Sequence, residues 1–191
     1  MARGNTRKVS LAERREMRAQ LTDPGPVMEA AAAFLGVRPR SVAETSRRLR
    51  HLGYPVALVE TVVVRLVEME YLDDGSFARA WVESRDRARP RGENALRREL
   101  SLKGVPRTTI DEVLAERAGS GQAGEPDRAA ALALLERRRG ALGREADPRR
   151  RRQKAYALLA RNGFAPEVCA SAAAAFAEPR PDEESPEPAD G

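Results

Sequence analysis

The side chains of this sequence best suited to binding chemistry are its basic residues, which form three groups along the chain. A guanidinium group binds phosphate or carboxylate through paired hydrogen bonds, so these groups predict a polyanion or an acidic protein face as the partner. A single arginine is more often a solvated surface residue, and four consecutive arginines on a helix point in different directions. The candidate contacts are Arg38, Arg40, Arg47, Arg48, Arg89, Arg91, Arg97, Arg98, Lys103, Arg149, Arg150, Arg151, Arg152 and Lys154.

Residue types that could support catalysis or metal binding are few. With one Cys and one His, the chain has neither a disulfide framework nor the ligands of the usual zinc sites. Asp73-Asp74 could be an acid pair or a metal site, but its place before a helical segment predicts a helix cap instead. Without a nucleophile and base pair or a Gly-rich phosphate loop, we expect no enzyme, no cofactor and no metal.

The aromatic and sulfur-containing side chains favour packing over chemistry. Trp81 could stack on a nucleic-acid base, but Phe77 stands four residues earlier, so both are predicted to face inward. Tyr71 and Leu72 are likewise predicted to be packing residues. Cys169 is predicted to be a small buried hydrophobe, and His51 a surface residue near a helix end.

Composition predicts helices packed on helices. Aromatic residues make up 4% of the chain and charged residues 33%, so any core is thin and built from Leu, Val and Ala. The formal net charge is +5, with a basic segment over 1–22 and an acidic one over 178–191. The start lacks the apolar stretch of a signal peptide, and no segment is long enough to span a bilayer. A cytoplasmic protein without a membrane partner is therefore expected.

One joint motif occurs three times, each time as a helix-like segment that ends in Gly, an apolar residue and a nearby Pro. Gly after a helix end closes the last turn in the left-handed conformation, and Pro suits the first turn of the next helix. The joints are His51-Leu52-Gly53-Tyr54-Pro55, Leu102-Lys103-Gly104-Val105-Pro106 and Arg161-Asn162-Gly163-Phe164-Ala165-Pro166.

Apolar positions around the three glycines agree as well. Leucine stands four residues before each glycine, and small apolar residues stand six, nine and ten residues after it. A unit repeated every 50 to 60 residues, roughly, predicts an all-α helical array rather than one irregular domain. The matching positions are Leu49, Leu100 and Leu159, then Val59, Ile110 and Cys169, and finally Val62-Val63, Val113-Leu114 and Ala172-Ala173.

The repeats give predicted domain boundaries. A basic, partly disordered arm covers 1–25, and the repeats cover 26–72, 73–117 and 126–177, with a linker at 118–125 and a disordered acidic tail at 178–191.

Local signals place several helices. A capping box opens a helix at Ser41, with Glu44 three residues later. Ser10 and Glu13 have the same form, which leaves two alternatives for 11–21, a short helix or a mobile basic arm. Val59, Val62, Val63, Leu66 and Met69 share one face of a helical wheel, so 55–70 is predicted to be a helix rather than a strand. A long helix is predicted over 126–142, and another starts at Asp147-Pro148.

Short motifs in a fixed order resemble the RecX family, bacterial regulators of the RecA recombinase, over roughly 26–178. The third repeat is looser, with an Arg run and an extra residue before Pro166. The motifs are Arg40-Ser41 with Glu44 and Leu49 before Gly53-Tyr54, Tyr71-Leu72-Asp73-Asp74 with Phe77-Ala78, Arg91-Gly92 with Leu96, Glu99-Leu100 with Lys103-Gly104-Val105, and Leu159 with Arg161 before Gly163-Phe164.

The resemblance implies an all-α fold of about three tandem three-helix repeats in an elongated, curved array, and it implies an activity. A RecX protein is expected to bind the groove of the RecA–single-stranded DNA filament as a monomer, and to limit filament growth, ATP hydrolysis and strand exchange. The helix–turn–helix joints leave open a second hypothesis, a tandem helix-turn-helix regulator of transcription that binds duplex DNA. A purely structural helical scaffold is a third, in which removing the Arg groups has no effect.

Overall fold

The structure is a computed structural model that describes residues 10–119 and 125–178. Within these ranges the chain forms eleven helices and no strand, which confirms the all-α prediction. The helices are α1 (Leu11–Ala19), α2 (Gly25–Leu35), α3 (Val42–His51), α4 (Val56–Glu68), α5 (Asp74–Ala88), α6 (Glu93–Lys103), α7 (Arg107–Ala118), α8 (Glu125–Arg137), α9 (Arg139–Leu142), α10 (Pro148–Arg161) and α11 (Pro166–Ala177).

Contacts divide the chain into two compact units. The first comprises 1–79 and 100–110, and the second comprises 80–99 and 111–191, so the division falls within α5, α6 and α7. Residues 1–9 of the predicted basic arm (1–25), most of the predicted linker (120–124) and the acidic tail from 179 lie outside the described residues.

The core of the first unit lies among α2, α3 and α4. On α2 and α4 its buried side chains are three or four residues apart, as an amphipathic helix requires, and α3 and the loops after α3 and α4 supply the rest. They are Val27, Ala31, Leu49, Tyr54, Val59, Val62, Leu66 and Leu72.

Alanine is prominent in the core of the second unit, where α8, α10 and α11 pack together. Small side chains allow helices to approach closely, which compensates for the few aromatic residues. The buried positions include Ala131, Leu135, Ala155, Leu159, Cys169, Ala172 and Phe176.

All three joint glycines adopt the predicted left-handed conformation. Their φ angles are +95° at Gly53, +80° at Gly104 and +83° at Gly163. The leucines four residues earlier are fully buried, and so are the matching Val59 and Cys169 after the joint. The sequence repeat is therefore a repeat of local structure.

Each of the last two joints packs on the second helix of the preceding repeat. A Cβ built on Gly104 would lie 2.4 Å from the Cβ of Ala43 in α3, so only glycine fits there. Ser41 Oγ donates a hydrogen bond of 2.7 Å to the carbonyl of Lys103, the residue before that glycine. At Gly163 the same approach is made to Ala95 in α6, with a Cβ to Cβ distance of 2.5 Å. Close backbone contact thus joins successive repeats within each unit.

Most predicted helix signals are confirmed. Both capping boxes form, at Ser10 with Glu13 and at Ser41 with Glu44. The segment with three consecutive valines is α4, a helix as predicted. The prediction of one long helix over 126–142 is wrong, because the chain forms two helices there, α8 and the short α9, with a break at Arg138. Gly140, a weak helix former, lies just beyond the break.

Three predicted packing residues are not buried as expected. Tyr71 is 67% exposed and Met69 is 45% exposed, because α4 ends at Glu68 and Glu70 takes a positive φ that turns the chain. Trp81 is only half-buried, while Phe77 is buried as predicted. The indole Nε1 of Trp81 donates a 2.8 Å hydrogen bond to Glu99, which keeps one edge of the ring at the surface. His51 is exposed and Cys169 buried, as predicted.

Candidate nucleic-acid interface

In the first unit, the candidate arginines gather around one aromatic ring. The guanidinium carbon of Arg40 lies 4.1 Å from the ring centroid of Phe34 in α2, and that of Arg48 lies 5.9 Å from it. Both contacts fall within the range of cation–π attraction. Arg38, in the loop before α3, is 3.4 Å from Glu44. The loop and α3 therefore hold two positive charges against Phe34, and the charge of Arg38 acts on one of them, Arg40.

Arg40 is the least compensated of these charges. It forms no hydrogen bond or ion pair with any described residue, and its Nε is buried without an acceptor. Burial, together with the charges of Arg38 and Arg48, lowers the pKa of Arg40 from its ordinary value, although Glu44 acts in the opposite direction. A guanidinium in this environment is stabilised when an anion approaches. We call Arg38, Arg40 and Arg48 the Phe34 cluster.

Two other candidates of the first unit contribute to its internal structure. Lys103 Nζ lies 2.9 Å from Glu44 Oε1, and Arg47 donates 3.4 Å hydrogen bonds to the carbonyls of Leu102 and Lys103. Burial opposes ionisation of Glu44, but the hydrogen bonds from Lys103 and Arg38 outweigh it and lower the pKa of Glu44. These contacts hold the second joint against α3.

Arg91 and Arg97 of the second unit are also paired within the protein. Arg91 donates to Asn162 Oδ1 and lies 3.6 Å from Glu99. Arg97 pairs with Glu93 at 2.8 Å and with Asp111, which raises the pKa of Arg97. Their carboxylate partners neutralise much of the charge that a ligand would meet.

Other candidates remain exposed without a partner. The side chains of Arg89 and Arg98 form no hydrogen bond or ion pair with the described part of the chain. On α10, the same holds for the side chains of Arg149 and Arg152, whereas Arg150 lies 3.6 Å from Asp147.

The rest of the α10 group is anchored to the loop before the helix. Arg151 Nε donates to the carbonyl of Glu145 at 3.1 Å, and Lys154 Nζ lies 2.6 Å from the Glu145 carboxylate. The five basic residues of α10 are therefore not equivalent, and two of them, Arg149 and Arg152, are available without breaking an existing contact.

Sequence reasoning identified Arg89, Arg91 and Lys154, which line concave surface in the second unit, but missed three other basic residues there, Arg137, Arg138 and Arg161. Two neighbouring concavities of the second unit share Arg138, and Arg137 and Arg161 line one each. The run Arg137-Arg138-Arg139 is the sequence feature that could have indicated this surface. Under the prediction of one long helix, these arginines are expected to be solvated surface residues. The break after α8 gives these three side chains different surroundings.

The two aspartates at the start of α5 have different roles. Asp73 caps its own helix, as predicted, by accepting hydrogen bonds from Gly75 N at 2.8 Å and Ser76 Oγ at 2.7 Å. Asp74 instead accepts the backbone N–H of Val42 at 2.9 Å and so caps α3. Burial raises the pKa of Asp74, with a smaller contribution from neighbouring Asp73.

Within the described ranges, every helix is too short or too polar to cross a membrane.

Three family models match this chain in consecutive segments. They describe the first, second and third three-helix domains of RecX and match residues 28–66, 73–114 and 125–172. Together they cover more than half of the chain, and their order is that of the three joints.

Full-length relatives and solved structures agree. The regulatory protein RecX of Chlorobium phaeobacteroides (strain BS1) is 33% identical over 143 residues, which is 75% of this chain and 88% of that protein. That of Mycobacterium avium (strain 104) is 36% identical and covers 69% of this chain and 73% of its own. The crystal structure of RecX from Lactobacillus salivarius superposes with a TM-score of 0.69 at 16% identity, over 80% of this chain and 96% of the other. The chain belongs to the RecX family of regulatory proteins.

Proposed function

We propose that this protein is a non-enzymatic regulator of RecA that binds the RecA–single-stranded DNA filament. It limits filament growth, ATP hydrolysis and strand exchange, and so regulates DNA repair by homologous recombination. We expect it to act in the cytoplasm as a monomer. Membership of a family of regulatory proteins supports the regulatory role, and the resemblance described above supports RecA as the partner.

The observation that carries the proposal is the Phe34 cluster. Arg40 is held against Phe34 with a buried Nε that has no acceptor in the described residues. An incoming phosphate or carboxylate pairs with the accessible part of this guanidinium and relieves the repulsion from Arg38 and Arg48. Contacts of this kind position a protein on a nucleoprotein filament without reading a base sequence.

Titration of RecA ATPase tests the proposal. ATP hydrolysis by RecA on single-stranded DNA is measured while this protein is added, and we expect the rate to fall towards a plateau. Unchanged turnover at saturating protein contradicts the proposal. Strong preference for one duplex operator in the absence of RecA favours a helix-turn-helix regulator of transcription instead.

A pair of variants connects the activity to the cluster. Arg40→Ala combined with Arg48→Ala removes two charges that have no carboxylate partner, so we expect weaker inhibition, most clearly at low salt, where screening is weakest. Arg50→Ala combined with Arg65→Ala is the matched control, because these exposed arginines pair with Glu60 and Glu68 on the same unit. An equal loss of inhibition in both double variants would show that the Phe34 cluster does not contact the filament.

A further inference from the structure

A cationic groove runs along the second unit, formed by the two concavities that share Arg138. The first is lined by the end of α5 and the loop after it, by α8 and by Asn162, and the second by α9 and α10. We call this surface the Arg138 groove and define it by its basic residues, Arg89, Arg91, Arg137, Arg138, Lys154 and Arg161. Among the described residues that line either concavity, none is acidic.

Most of the charge in this groove is not compensated by carboxylates. The side chains of Arg89, Arg138 and Arg161 form no hydrogen bond or ion pair with the described residues. The two terminal NH₂ groups of Arg137 donate hydrogen bonds to the backbone carbonyls of Arg87 and Ala88, which are neutral acceptors. Four of the six guanidinium or ammonium groups therefore retain their full charge for a ligand.

The other two groups are partly neutralised. Lys154 pairs with Glu145 at 2.6 Å. Arg91 lies 3.6 Å from Glu99, and Arg85 lies 2.6 Å from the same carboxylate. One negative charge therefore neutralises only part of the charge of the two arginines. The groove thus keeps an excess of positive charge along its whole length.

The groove is also held in shape before any ligand arrives. The hydrogen bonds of Arg137 attach the end of α8 to the end of α5, and Arg91 is oriented by Asn162 in the third joint. Groups that are already positioned lose little conformational entropy on binding. Separate helices therefore present their cations as one surface.

We propose that the Arg138 groove binds the phosphodiester backbone of single-stranded nucleic acid. Two concavities side by side suit successive phosphates of one strand, and guanidinium groups bind phosphate oxygens in pairs. No aromatic ring is among the described residues lining the groove, so the bases have nothing to stack on. Binding is therefore independent of the bases. This inference adds a DNA-binding surface to the function proposed above. It rests on that function only for the identity of the nucleic acid, the single-stranded DNA of the RecA filament.

Binding to two fluorescent oligomers tests the inference without RecA. One is a thymidine 20-mer, and the other is a 20-mer of the same backbone without bases, both measured by anisotropy at several salt concentrations. We expect similar affinities for the two. Absence of binding, or binding only to the oligomer with bases, overturns the inference.

Matched triple variants locate the contact. Arg89→Ala, Arg138→Ala and Arg161→Ala together are expected to weaken binding roughly tenfold or more, and to reduce the slope of log K against log salt by about 2. Arg87→Ala, Arg128→Ala and Arg144→Ala remove the same charge from exposed positions of the same unit that do not line the groove, and are expected to leave the slope nearly unchanged. An equal loss in this control, or an unaffected groove variant, overturns the inference.

The same variants separate this inference from the proposed function. Circular dichroism confirms that each is folded, and each is assayed for inhibition of RecA ATPase. If the groove triple loses inhibition while it binds the oligomers normally, the groove contacts a protein face and the inference is wrong. If it loses oligomer binding but RecA turnover is unaffected by the wild type as well, the inference stands and the proposed function fails.

Discussion

The carboxylate of Asp127 accepts a hydrogen bond from the backbone N–H of Glu93 at 2.9 Å. Glu93 is the first residue of α6, so a side chain of α8 satisfies one of the N–H groups that a helix leaves free at its start. Asp74 does the same for Val42 at the start of α3, also at 2.9 Å. In each unit, an aspartate near the start of one repeat thus caps the second helix of the repeat before it.

Asp127→Ala is expected to destabilise the second unit strongly. Asp127 is 7% exposed and also lies 2.6 Å from Arg117, whose side chain is 11% exposed. Removing the carboxylate leaves a buried guanidinium with only Asp86 as partner and an uncapped helix, a loss of about 3 to 5 kcal/mol. Urea unfolding followed by circular dichroism measures the free energy of unfolding.

Glu83→Ala is the control for this loss. It removes the carboxylate of an exposed ion pair with Arg87 in the same unit, which is worth at most about 1 kcal/mol. Equal losses in the two variants would show that Asp127 has no capping or pairing role.

Replacing the joint glycines by alanine is expected to cost about 2 to 4 kcal/mol, since each combines a positive φ with a steric clash. The added methyl group would lie 2.4 Å from Ala43 in Gly104→Ala and 2.5 Å from Ala95 in Gly163→Ala. Thermal and urea unfolding of each variant measures the loss.

Gly140→Ala is the internal comparison for the glycine series. Nothing lies within 4 Å of the added methyl group and the backbone is helical, so this change is expected to stabilise the protein by about 0.5 to 1 kcal/mol. Adding Ala43→Gly to Gly104→Ala removes the clash but not the strained φ, and should restore only part of the stability. Full restoration would assign the whole cost to the clash.

Glu44→Gln is expected to change how stability depends on pH. The pKa of Glu44 is lowered in the folded protein, from an ordinary value of 4.5. The unfolded chain therefore binds more protons, so this stabilisation is fully present above pH 4.5 and is lost as the pH falls through the lower, folded pKa. The variant should be less stable than the wild type near pH 6 and should approach it below pH 4. Glu60→Gln, at an exposed pair with Arg50, should show no such convergence.

Cys169 is expected to react with a thiol reagent only when the protein opens. The side chain is fully buried, and burial raises the pKa of its thiol, so little reactive thiolate forms in the folded state. Its labelling rate should be slow in buffer, rise through the urea transition, and be faster in Gly163→Ala, where the neighbouring joint is strained. Rapid labelling of the folded wild type would contradict the packing of α11 described here.

The candidate site was less predictable from sequence than the helices around it. Both capping boxes and all three joints are local patterns, so a few neighbouring residues determine them. Local patterns fail for Trp81 and Tyr71. A hydrogen bond to the distant carboxylate of Glu99 determines the exposure of Trp81, and the turn with positive φ at Glu70 determines that of Tyr71.

What the sequence determined by itself is the repeat: glycine, proline and buried leucine at fixed spacing require a helix, a tight turn and another helix, whatever surrounds them. What only the tertiary structure decided is which basic residues keep their charge for a ligand. Lys103 forms an ion pair with Glu44 and Arg91 forms a hydrogen bond with Asn162, both partners being far away in the chain. The side chain of Arg138 has no partner among the described residues. The physical reason is that an ion pair needs its partner within about 4 Å, and helix packing rather than local sequence brings such partners together.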